Sequence, residues 1–167
     1  GSGITNSNIL DLKLVADNST PKNIYIAYVA DKYEELGISN DDEPDFRLFV
    51  KKYDEASSTW MSVSASGQNG IASHSSTISC NIDMNDAGEP YVAYIYNNPE
   101  YIEDDENEGL AFVQKFDGTN WIMVGGEAIN EKLINTIELE INSNTPYIAY
   151  TTNNYSFDND LQLPNNI

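Results

Sequence analysis

The stretch that decides the fold is NDAGEPYVAY, residues 85–94. Its last four residues return in altered form as YIAY at 25–28 and again as YIAY at 147–150. Ahead of each copy lies an alternating segment. In the first, Asp11 and Lys13 separate Leu10, Leu12 and Leu14; in the second, Ser79, Asn81 and Asp83 separate Ile78, Cys80, Ile82 and Met84. In the third, Glu138 and Glu140 separate Ile137, Leu139 and Ile141. A period of two marks a half-buried strand, because successive side chains of a strand point to opposite faces. An amphipathic helix would need apolar residues three and four apart, and that spacing is absent. Each segment then meets a turn cluster, DNSTPKN, NDAGEP or NSNTP. Asn, Asp, Gly and Pro supply the backbone angles of tight turns. Pro21, Pro90 and Pro146 stand at the start of the returning strand, where a missing N–H is tolerated. Each Tyr-aliphatic-Ala-Tyr copy is therefore expected to be the second strand of a hairpin, its alanine letting a neighbouring sheet approach closely.

Working outward, an acidic loop follows each hairpin, and then a third strand, DFRLFVKKY (45–53) or LAFVQKF (110–116). A short turn, DEASST or DGTN, leads to a fourth strand opened by tryptophan, WMSV (60–63) or WIMVG (121–125). The spacing of the tyrosine motifs and of the two tryptophans is about 60 residues, with the variation falling in loops. The expected fold class is all-β: antiparallel four-stranded meander repeats of β-propeller-blade type, about two and a half units. Residues 1–3 read as a cloning scar. Residues 4–66 read as repeat unit 1, 67–76 as a connector, 77–126 as unit 2, and 127–167 as a connector and incomplete unit 3. Closed propellers have four or more blades. The expectation is thus a partial propeller, a ring completed by further copies, or an open arc.

IDMNDAGEPYVAY (82–94 within residues 82 to 94) followed by FVQKFDGTNWIMVGG (112–126) resembles a tandem repeat of bacterial secreted and surface proteins. That repeat has the form D-x-x-G-x-P-Y-V-A-Y, then K-F-D-G-x-x-W-x-x-V-G. The likeness is close over residues 77–126, looser in KKYDEASSTWMSV of the first unit, and confined to the hairpin in the third. It implies a β-propeller-like architecture, an extracellular or cell-surface setting, and a recognition, adhesion or scaffold role without a chemistry of its own.

Composition narrows the partners. Twenty-seven acidic residues face eight basic ones, a net charge of −19, and Arg47 is the only arginine. Nucleic acid is excluded as a partner, since phosphate binding needs a basic patch. An anionic membrane surface is excluded on the same ground. No run of eighteen apolar residues exists, so no membrane insertion by a helix is expected. A protein or glycan partner, a cation, or a second copy paired through an open sheet edge all remain compatible. The single cysteine, Cys80, rules out an intrachain disulfide and is expected to be a buried, inert thiol.

The acidic loops are the candidate site. Asp41, Asp42 and Asp45, with Glu43, lie between the second and third strands of unit 1; Glu103, Asp104 and Asp105 lie at the equivalent place in unit 2. Asp158 and Asp160 follow the hairpin of unit 3. If the units stack in register, these loops share one rim, and carboxylate oxygens suit Ca²⁺. The spacing is not that of an EF-hand, and the competing reading is a solvated rim that keeps a β-rich surface soluble. Catalytic residues are not assigned. QKFDGTNW (114–121) departs from the sialidase Asp-box, and one arginine cannot build a several-arginine carboxylate clamp. A two-carboxylate glycan hydrolase is the alternative class. His74 reads as a connector residue, and Trp60 and Trp121 read as core rather than sugar-stacking residues.

Overall fold

The structure, a computed structural model, describes residues 3–5, 7–17, 22–39, 43–63, 70–71, 76–97, 109–126, 128–129 and 133–152. The first sheet holds β1 (Ile9–Ala16), β2 (Ile24–Asp31), β3 (Phe46–Asp54) and β4 (Thr59–Ser62) in that order, with the short helix α1 (Lys32–Leu36) between β2 and β3. The second holds β5 (Thr77–Met84), β6 (Pro90–Tyr96), β7 (Leu110–Phe116) and β8 (Trp121–Met123), again in chain order. The third is a hairpin of β9 (Thr136–Asn142) and β10 (Thr145–Thr151). All pairings are antiparallel. The protein is mostly β, in sheets of four, four and two strands; the described residues form no closed barrel or propeller.

The decisive stretch folds as its residues dictate. Gly88 donates its backbone N–H to the Asn85 carbonyl at 2.9 Å and takes φ 75°, a left-handed angle that glycine adopts without a Cβ clash. The Asn85 side-chain oxygen accepts from the N–H groups of Ala87 and Glu89 at 3.1 and 2.9 Å, so the side chain rather than a ladder satisfies the turn.

The same cross-strand neighbours recur in both full sheets. Tyr28 stacks on Phe49 and Tyr94 on Phe112, each with ring centroids 5.6 Å apart. Lys52 lies over the ring of Tyr25 and Lys115 over that of Tyr91, at 5.4 and 5.6 Å. Trp60 packs against Tyr53, and Trp121 against Phe116. Ala27 and Ala93 are fully buried. Such pairs are the unit of sheet stabilisation, and their repetition at matched registers makes the two sheets two copies of one design.

The sheets stack face to face. Tyr25, Ala27, Val29, Leu48 and Val50 of the first sheet pack on Cys80, Ile82, Val92, Tyr94 and Phe112 of the second. The opposite face of the second sheet, with Tyr91, Ala93, Ile95, Ala111 and Val113, packs on Ile137, Leu139 and Ile141 of β9. Each sheet thus has a leading face toward the unit before it and a trailing face toward the unit after it. The equivalent first strands β1, β5 and β9 run against one another.

One expectation is inverted. The alternation in β1 placed Leu10, Leu12 and Leu14 on a buried face, yet all three are exposed, while Asp11, Lys13 and Val15 are half-buried toward the second sheet. Leu12 pairs with Tyr28 and Leu14 with Ile26, so the leucines lie on the leading face. In the second sheet that face is covered by the first sheet. On the first sheet, among the described residues, Ile4 packs on Ile26, Tyr28, Ala30 and Phe49, while the leucines of β1 stay exposed.

Candidate functional site

The loop between β2 and β3 is not purely irregular. Asp31 caps α1 by accepting from the Tyr33 N–H at 3.1 Å, and Gly37 ends it at φ 65°. This one-turn helix turns Glu35 back over the leading face of the first sheet. Glu35 Oε1 accepts from Lys51 Nζ at 2.7 Å and from the Tyr28 hydroxyl at 2.8 Å. Its Oε2 accepts from the Thr5 hydroxyl, and from Ser7 Oγ at 3.4 Å. Lys51 also donates to the Ile4 carbonyl at 2.7 Å, and Glu34 accepts from the Asn8 N–H at 3.0 Å. Burial on its own would raise the Glu35 pKa; hydrogen bonds from Lys51, Thr5 and Tyr28, with the Lys51 charge, outweigh it and hold the carboxyl below its ordinary value. Burial, and then the bond to Glu35, push the Tyr28 hydroxyl far up. The cluster is a clamp: one ion pair holds the N-terminal segment and α1 on the sheet.

Of the sequence-derived rim residues, Asp45 is placed. Its carboxylate accepts both Arg47 Nε at 2.5 Å and a second Arg47 nitrogen at 2.9 Å, and Lys32 Nζ lies 3.5 Å away. That fork-to-carboxylate geometry occupies both oxygens. Glu43 is described and exposed. Asp41, Asp42, Glu103, Asp104, Asp105, Asp158 and Asp160 lie outside the described residues, as does His74. Among the described residues no group of three or more His, Cys, Asp or Glu is placed to hold a metal ion.

A second set of carboxylates joins unit to unit. Asp11 Oδ2, on β1, accepts from Ser79 Oγ at 2.8 Å and from the Cys80 N–H at 3.0 Å, both on β5. Asp83 Oδ2, on β5, accepts from the Ile141 N–H of β9 at 2.6 Å. The two contacts are the same contact. Asp11 stands at the ladder position of Ser79 and reaches the residue after it; Asp83 stands at the ladder position of Glu140 and reaches the residue after it. Lys13, Asn81 and Glu138 share one register position, opposite Ala27, Ala93 and Ala149. Asn81 donates to Glu138, and Lys13 lies 3.7 Å from the same carboxylate. Farther out, Trp121 Nε1 donates to the Val63 carbonyl at 2.7 Å, and Asn85 Nδ2 to Asn144 Oδ1 at 2.7 Å.

No family model, curated protein or solved structure matches the chain.

Cys80 is fully buried among these contacts; burial, and then the Asp11 charge, push its thiol well up, against a smaller opposing effect of Lys13. Its burial agrees with the expectation from its strand position, and an enclosed thiol with a raised pKa is a poor nucleophile. Trp60 and Trp121 are half-buried against aromatic partners of their own sheets. Sequence reasoning missed Asp11, Asp83 and the Glu35–Lys51 clamp. A signal for the first two was present: aspartate is depleted in strands, and one in the middle of an alternating run asks for a partner.

Proposed function

We propose that the chain is a non-catalytic recognition, adhesion or scaffold module of the bacterial cell surface or extracellular space, built from blade-type repeats. The observation that carries this reading is how the described carboxylates are used. Asp11 and Asp83 are spent on the backbone of the next unit, and Glu35 and Asp45 are spent on lysine and arginine. Asp11 and Asp83 join one unit to the next, and Glu35 and Asp45 are paired within the first unit. The recurrence of the meander and its cross-strand pairs supports blade-type units, and it supports the likeness to the surface-protein repeat.

The acidic loops are the second part of the proposal. Units that repeat in register would send the β2–β3 and β6–β7 connections out along one side of the stack. Asp41, Asp42, Glu103, Asp104, Asp105, Asp158 and Asp160 are the Ca²⁺ ligands proposed there; Asp45 is left out because Arg47 and Lys32 neutralise it. The partner is a protein or a glycan met across that rim.

The test is thermal unfolding in millimolar CaCl₂ against EDTA at fixed ionic strength. A ligand that binds only the folded state stabilises it by about 2.7 kcal/mol at a hundredfold excess over its Kd. A clear rise in midpoint supports a Ca²⁺-holding rim; an unchanged midpoint returns the loops to solvated charge. Release of new reducing ends from a panel of oligosaccharides would overturn the non-catalytic reading.

A further inference from the structure

Several apolar positions that are buried between units are exposed at their register equivalents on the two outer faces of the stack. The first tyrosine of the repeated motif faces the following unit: Tyr25 and Tyr91 are 7% and 3% exposed, whereas Tyr147 of the last hairpin is 58% exposed. The first strand meets the preceding unit. Cys80 and Ile82 are 0% and 5% exposed, and Ile137 and Leu139 are 3% and 7% exposed, whereas their register equivalents Leu12 and Leu14 are 41% and 59% exposed. Among the described residues, the chain therefore exposes part of each half of its own internal interface: Leu12 and Leu14 of β1 on the leading face, and Tyr147 and Ala149 of β10 on the trailing face.

We propose that these two faces dock on each other between copies of this chain, the leading face of β1 in one copy on the trailing face of β9–β10 in another. The occupant is a second copy because the fit is already realised twice inside the chain. Leu12, Leu14 and Ala16 take the place that Ile137, Leu139 and Ile141 take against the second sheet, and Tyr147 and Ala149 take the place of Tyr91 and Ala93. Glu140, at the register of Asp83, reaches the backbone N–H of Ala16 in the docked copy as Asp83 reaches that of Ile141. The N-terminal segment does not obstruct this, since it lies over Ile26, Tyr28 and Phe49 and leaves the leucines of β1 open. The contact is head to tail, so it is heterologous and propagates or closes a ring instead of stopping at a two-fold dimer. It rests on reading the chain as a scaffold module and specifies what the scaffold binds first.

The test is sedimentation velocity of the full chain over a concentration series in 0.5 M salt, on the order of what screens charges beyond a few ångströms, since −19 on each copy opposes contact at low salt. The wild type is expected to rise in weight-average mass with concentration. A head variant, Leu12→Glu with Leu14→Glu, and a tail variant, Tyr147→Glu with Ala149→Glu, are each expected to stay at the 18.6 kDa of one chain. Mixed one to one, they are expected to give a single species of twice that mass, because each retains the face the other lost. Circular dichroism identical to wild type qualifies each variant, with Leu10→Glu and Thr151→Glu as substitutes should one fail to fold. A wild type that stays monomeric, or variants that associate singly, or a mixture that does not, overturns the proposal. A monomer that Ca²⁺ still stabilises would sink this inference and leave the recognition reading standing.

Discussion

Replacing Asp11 with alanine tests whether first-strand carboxylates hold the units together. The change removes the acceptor of two bonds from β5, the Ser79 hydroxyl at 2.8 Å and the Cys80 N–H at 3.0 Å. Cys80 is fully buried, so its N–H gains no water in exchange. An orphaned buried donor costs about 1–3 kcal/mol, and hydrogen bonds to a charged group lie at the upper end. Asp11 is itself only half-buried, so water relieves part of the loss, and we expect about 2 kcal/mol. For a chain of this size that lowers the unfolding midpoint by about 4–8 °C. Asp11→Asn keeps one acceptor oxygen without the charge and should cost about half as much. Cys80 supplies a local assay beside the melt, because its thiol reacts with a disulfide reagent only when the first two sheets part. A 2 kcal/mol loss raises that open population roughly thirtyfold, and the labelling rate with it. Adding Ser79→Ala closes a double-mutant cycle, in which residues sharing a bond couple by about 0.5–3 kcal/mol. A variant that melts and labels like wild type, or a cycle with no coupling, would refute the reasoning.

Two other perturbations read different parts of the stack. Glu35 is depressed in the folded state, so its contribution is present above its ordinary value of 4.5 and is lost as pH falls through the lower folded value. Glu35→Gln should therefore flatten the loss of stability below that pH, read as the difference in urea midpoint between near-neutral and acid buffer; an unchanged slope would deny the clamp. Gly109→Ala should destabilise by about 1–3 kcal/mol or more through overpacking. A Cβ there would lie 2.2 Å from the Tyr96 carbonyl oxygen and 2.6 Å from its carbon, backbone atoms that cannot swing aside. The change would also strain the bridge in which Gly109 and Ile134 exchange hydrogen bonds at 2.9 and 3.0 Å. A melt equal to wild type would show that the approach relaxes.

The fold was legible because its signals are local. Period-two alternation, turn residues and a tryptophan at the fourth strand give the ten strands in three sheets seen among the described residues, with edges close to those read from the sequence. What could not be read is which face a neighbour covers. Leu12 and Cys80 hold the same register position, and nothing local distinguishes them; only the presence of a preceding sheet buries one and exposes the other. The helix α1 escaped because five residues carry no periodicity. The acidic rim was legible as composition, but Asp45 shows why composition is a weak guide to ligands: its counter-ions, Lys32 and Arg47, come from the far end of the loop and from the next strand.

The unit-to-unit carboxylates also answer a problem that a stack of open sheets creates. β1, β5 and β9 are edge strands, and a row of unpaired N–H groups on an edge invites another chain to pair with it. Asp11 and Asp83 occupy the N–H groups of Cys80 and Ile141, so the group that joins two units also blunts the edge of the second. Two further edge N–H groups are met from within their own strands: Asp11 Oδ1 accepts from Leu12, and Asn81 Oδ1 from Ile82, each at 2.8 Å. Asp11 thus spends one oxygen on its own strand and the other on the next. Strand carboxylates in so acidic a chain are therefore not simply surface charge. They blunt edge pairing between units, and the face stacking proposed above would bury Leu12 and Leu14 of β1 with Tyr147 of β10.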